Sequence, residues 1–85
     1  MNINEVLSQR GKTHGKYSVN AAQTMQVHDI LDDTRLPETV RLAMFMIGHK
    51  LSRISAGNFA EPDHWVDIIG YATLAKESLT EPANG

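Results

Sequence analysis

Apolar residues recur along this chain at helical rather than alternating spacing, and glycines, prolines and short polar runs divide them into four segments. Ile3, Val6 and Leu7 share one face of a short first helix over residues 3–10, which ends on Arg10 with Gly11 placed for a C-terminal cap. From Arg10 to Tyr17 two glycines and three basic residues interrupt the periodicity, which predicts a loop. Ser18 can cap a second helix, where Val19, Ala22, Met25, Val27, Ile30 and Leu31 form an imperfect stripe before Asp32-Asp33-Thr34. Pro37 suits the first position of a third helix, along which Val40, Ala43, Met44, Ile47, Leu51 and Ile54 follow helical spacing as far as Gly57. Leu42, Phe45 and Met46 lie on its other side, so the first half of this helix is apolar nearly all round and reads as buried on two sides. A last helix starts near Pro62 or Asp63 and sets Trp65, Ile68, Ile69, Ala72, Ala75 and Leu79 on one stripe, with Trp65 expected in the core against the third helix.

No alternating run or hairpin signal stands between these segments. The expected class is therefore all-α, a compact bundle of about four helices forming one domain over residues 1–79, with a frayed tail over residues 80–85. At 85 residues the chain buries only about 60–65% of its unfolded surface. The second apolar face of the third helix is then covered by the first helix or, as the favoured expectation, by another subunit in a homo-oligomer.

Composition narrows the class of activity. Cysteine is absent, which removes disulfides, thiolate catalysis and cysteine-based zinc sites. No apolar run is long enough to span a bilayer and the N-terminus lacks a signal-peptide pattern, so the expected location is the cytoplasm. Eight Lys+Arg against ten Asp+Glu give a net charge of -2, which argues against a nucleic-acid coat protein but leaves room for a local basic patch. His14, His28, His49 and His64 share no metal-ligand spacing. The serines lack the glycine elbow that would expose a nucleophile.

Two clusters carry candidate chemistry. In the loop, Arg10, Gly11, Lys12, Gly15, Lys16 and Tyr17 combine close-approach backbone, fixed cations and a ring beside a helix start, the ingredients of phosphate binding; a solvated basic loop has the same composition. On the third helix Lys50 and Arg53 stand three residues apart, facing Asp63, Asp67 and Tyr71, which follow one another at one-turn intervals on the last helix. Asp63 and Asp67 can hold Mg²⁺ while the cations meet substrate phosphates, or Asp63 can cap its helix while Asp67 pairs with Lys50 or Arg53.

The segment Arg10-Gly11-Lys12-Thr13-His14-Gly15, the Lys50-x-x-Arg53 spacing and the run Asp63-His64-Trp65-Val66-Asp67-Ile68-Ile69-Gly70-Tyr71-Ala72 together resemble a family of small tailed-phage proteins with the pattern R-G-x-x-Y-G, K-x-x-R, D-x-W-x-D-I-x-G-Y-A. More distantly, their order is similar to the phage nucleotide modification associated domain. The resemblance covers Arg10 to about Leu79, with His14 where the pattern has Tyr. It implies a helical fold, a phage or prophage source, and a polar cluster of Arg10, Gly15, Lys50, Arg53, Asp63, Asp67 and Tyr71. The E-x-x-E and E-x-x-D runs of all-α nucleotide pyrophosphohydrolases are missing. The leading expectation is a binder of a nucleotide or nucleotide-like phosphate ligand, serving nucleotide metabolism or sequestering a host signalling nucleotide. One alternative is a protein-interaction module acting on a host or phage enzyme through Leu42, Phe45 and Met46. Another is a Mg²⁺-dependent nucleotide pyrophosphohydrolase using Asp63 and Asp67.

Overall fold

A computed structural model describes residue 3, residues 16–57 and residues 59–80. Three long helices make up the described chain: α1 (Tyr17–Leu31), α2 (Glu38–Ala56) and α3 (Pro62–Thr80). There is no strand among the described residues. The expected first helix, the loop residues Arg10, Gly11, Lys12 and Gly15, and the tail beyond Thr80 lie outside them.

α2 is the middle layer, packed against both α1 and α3, which scarcely meet one another. On its α1 side Gly48 sits beside Val27 and the Ser52 hydroxyl reaches Asn20 and Gln23. On its α3 side Lys50 pairs with Asp67, and Thr39 is hydrogen-bonded to Ser78 at 2.9 Å. α2 thus has helical neighbours on two sides, α1 and α3, while Leu42, on the second apolar face expected to be buried, is 60% exposed.

The other two helices are rotated away from their sequence stripes, with only part of each stripe turned toward α2. In α1 the buried residues are Asn20 and Thr24, while Val19, Met25, Val27, Ile30 and Leu31 are exposed. In α3 the one buried residue is His64, whereas Trp65 is 47% exposed, Ile69 65% and Leu79 64%. Trp65 is thus not a core anchor against α2. Its indole Nε1 donates instead to the Phe59 carbonyl at 2.8 Å, pinning the turn that leads into α3. The faces toward α2 mix polar and apolar contacts: Asn20 meets Ser52 and Val27 meets Gly48 on the α1 side, while Lys50 pairs with Asp67 on the α3 side, where Ile68, Tyr71 and Ala75 are half-buried. Ala43 is the only hydrophobic residue buried among those described.

The α1–α2 connection is held by ionic bonds. Arg41 grips Asp32 with two parallel hydrogen bonds, Nε at 2.8 Å and Nη2 at 2.9 Å, and His28 lies 3.8 Å from the same carboxylate. Arg35 reaches back to Asp33 at 2.6 Å. Pro37 takes the capping position rather than the first helical one, and its carbonyl accepts from Val40 and Arg41 N–H at 3.0 Å. The His28 ring stands edge-on to Phe45, centroids 5.2 Å apart at 86°.

Gly48 lies where α1 meets α2, and a Cβ there would stand 3.4 Å from Val27 Cγ1. That is an ordinary contact. Gly48→Ala is expected to raise the melting temperature, because alanine is better than glycine within a helix by about 0.5–1 kcal/mol. Gly48→Leu, which drives the helices apart, is expected to lower stability by about 1–3 kcal/mol. Thermal denaturation followed by circular dichroism separates the two outcomes.

Candidate functional site

The α2–α3 seam gathers the chain's densest described set of titratable groups away from the Asp32 clasp. Lys50 Nζ lies 2.8 Å from Asp67 Oδ2, with the lysine side chain 12% exposed and the aspartate 45%. His64, 1% exposed, precedes Asp67 by three residues and adds its field to that carboxylate, as does Arg53. The Lys50 ammonium, by hydrogen bond and by charge, holds the Asp67 carboxyl below its ordinary value against the opposing effect of desolvation. Arg53 Nε is buried and has no hydrogen-bond partner among the described residues. Arg53 thus adds its charge close to an Asp67 already paired with Lys50.

The positions anticipated from sequence are sorted by this geometry. Lys50 and Asp67 meet, with Arg53 close enough to act on Asp67, and Tyr71 follows one turn along α3 as a half-buried residue. Asp63 lies exposed in the first turn of α3, where a carboxylate interacts favourably with the helix dipole. Among the described residues no three His, Cys, Asp or Glu side chains are grouped to hold a metal ion. With Asp67 engaged by Lys50, the Asp63/Asp67 pair offers Mg²⁺ a poor set of ligands. Lys16 is exposed beside the start of α1 without forming a side-chain cap.

Tyr17 has a more definite place. With Ala21, Thr24, Met25, Phe45 and His49 it lines an open groove of about 310 Å³ between α1 and α2. His49 and Arg53 are one turn apart on α2, so this largely apolar groove and the cationic seam share one edge of that helix. The hydroxyl of Thr24, buried in its wall, has no partner among the described residues. Sequence reasoning missed Asn20, Gln23, Thr24 and Ser52 as packing residues. Their one available signal is that Asn20, Gln23 and Thr24 share a helical face, as do Gly48 and Ser52.

A family model described as a domain of unknown function, DUF6378, matches residues 2–79. The chain belongs to the DUF6378 family. In this DUF6378 domain the match covers every described helix except the last residue of α3. No curated protein and no solved structure matches it. No helix among the described residues of the DUF6378 domain is long and apolar enough to cross a membrane.

Asp32 and Asp67 both titrate lower in the folded chain than in the unfolded one, Asp32 because Arg41 hydrogen-bonds its carboxylate and Asp67 because Lys50 does. The stability they contribute is complete above the unfolded carboxyl value near 3.8 and disappears as pH falls through the lower folded values. A series of melts at decreasing pH should therefore show a steep acid loss. The double variant Asp32→Asn, Asp67→Asn is expected to be less stable at neutral pH and to have a flatter acid limb.

Proposed function

We propose that this protein binds a nucleotide or nucleotide-like ligand, its phosphates meeting Arg53 and Lys50 and its base lying in the groove lined by Tyr17 and Phe45. The observation that carries this reading is Arg53: a half-buried guanidinium whose Nε has no partner among the described residues, next to the Lys50–Asp67 ion pair and on the same helix edge as an apolar groove. A planar cationic fork suits a phosphate oxygen. The groove volume of about 310 Å³ falls at the small end of the range for ligand pockets, roughly 300–1,000 Å³. Aromatic side chains there offer a stacking surface that any base can use. Engagement of Asp67 by Lys50 favours binding over metal-assisted hydrolysis. In a small phage or prophage protein such a site serves nucleotide metabolism or sequesters a host signalling nucleotide.

The test is to incubate purified protein with Mg²⁺ and a mixed nucleotide pool, cyclic and ADP-ribose-type species included, and to chromatograph the free and retained fractions. Retention of one species unchanged is the expected result. Conversion of a species would replace binding by catalysis, and an untouched pool would overturn the reading in favour of a protein partner. The exposure of Leu42, on the edge of α2 that also carries half-buried Phe45 and Met46, favours that second reading, a module docking onto another protein.

A further inference from the structure

The outward face of α3 follows a pattern beyond its described contacts with α2. His64, Asp67 and Ser78 are the α3 residues buried against or bonded to α2. Trp65, Ile69, Ala72, Lys76 and Leu79 all point away from α2 and are exposed. Their spacing runs four, three, four and three residues, the alternation of a coiled-coil seam. A helix with such a seam is built to lie along another helix. Ala43 is the only buried hydrophobic residue among those described, and these residues on α3 add to the apolar surface that the described helices leave exposed.

We propose that this seam is the contact between two copies of the chain, with α3 of one copy antiparallel to α3 of the other. Direction follows from charge and shape. In a parallel pair Lys76, the one lysine or arginine on α3, would face its own copy across the seam. In an antiparallel pair centred between Gly70 and Tyr71 each seam residue finds a suitable mate. Lys76 lies over the second copy's Trp65 and beside its Asp63, Ile69 meets Ala72, and Leu79 meets Pro62. Large residues oppose small ones, and the cation meets an aromatic face and a carboxylate. A lysine in an otherwise apolar seam also selects one register at some loss of stability.

The experiment uses the full chain and its single tryptophan. Light scattering after size-exclusion chromatography should give twice the 9.4 kDa chain mass, and serial dilution should shift tryptophan emission to the red as Trp65 becomes solvated. Ile69→Glu should halve the mass while keeping the helical circular dichroism signal. A mass of 9.4 kDa at every concentration, or a dimer whose emission and Ile69→Glu variant are unchanged, overturns the proposal. The wild-type dilution series stands even where the variant fails to fold. Because the chain has no cysteine, Lys76→Cys tests direction: the two sulfurs lie about 16 Å apart in the antiparallel pair, too far to bridge. Ready disulfide formation in that variant would overturn the antiparallel arrangement.

Discussion

Reversing two charges, Lys50→Glu with Arg53→Glu, is expected to weaken nucleotide binding by roughly 10²–10⁴-fold. Each lost hydrogen bond to a charged group is worth about 1.5–3 kcal/mol, and about 1.4 kcal/mol is one decade in affinity. Lys50 also holds Asp67, so glutamate at position 50 puts two carboxylates together across the α2–α3 seam and strains the fold as well. Arg53→Gln separates the two effects. It leaves the Lys50–Asp67 pair in place and removes the guanidinium whose Nε has no partner among the described residues, so the fold should survive while affinity falls at least tenfold. Tyr17→Ala tests the other half of the site, with an expected loss of about 5–150-fold if a base stacks there, from roughly 1–3 kcal/mol per stacked base. Titration calorimetry on the nucleotide retained from the mixed pool measures all three. Unchanged affinity in Arg53→Gln would remove the phosphate assignment.

Ser52→Leu is expected to bring the largest loss of stability from a single substitution. Ser52 is 6% exposed and stands where α1 crosses α2. Its hydroxyl donates to Gln23 Oε1 at 2.7 Å and lies 3.1 Å from Asn20 Oδ1. Leucine would remove the hydroxyl from its bonds to these amides, which costs about 1–3 kcal/mol, and would add bulk beside Gly48, about 1–3 kcal/mol more. Native domains have only about 5–15 kcal/mol of stability in all. At about 4–8 °C per kcal/mol for a domain of this size, a fall of 10 °C or more is expected in the melting temperature. Ser52→Ala, which removes the hydroxyl without adding bulk, should lose about half as much. If Ser52→Leu melted like the wild type, the polar contact would not be what joins α1 to α2.

The periodicity of α2 was legible because its apolar residues recur at helical spacing between Pro37 and Gly57, whatever the helix packs against. Lys50, Asp67 and Arg53 were legible as a group for a similar reason, since one-turn spacing places side chains on one face of a helix and opposite charges on facing helices attract. The same logic failed for Trp65, whose position in the α3 stripe is regular yet faces outward. A stripe records which face of a helix is apolar. It does not record which face the other helices of the chain cover.

The sequence by itself determined the all-α class, the boundaries of α1, α2 and α3 to within a residue or two, and the charged residues that meet between α2 and α3. These are local properties, set by helical spacing, by Pro37, Gly57 and Pro62 at the breaks, and by side-chain type. Only the tertiary structure decided which face of each helix turns inward. That choice depends on pairs far apart along the chain, Ser52 with Asn20 and Gln23, Arg41 with Asp32, Lys50 with Asp67, and Gly48 with Val27. Periodicity in one helix carries no information about the partner that will satisfy its polar groups, so burial of Asn20, Thr24 and His64 became visible only once the helices were in place.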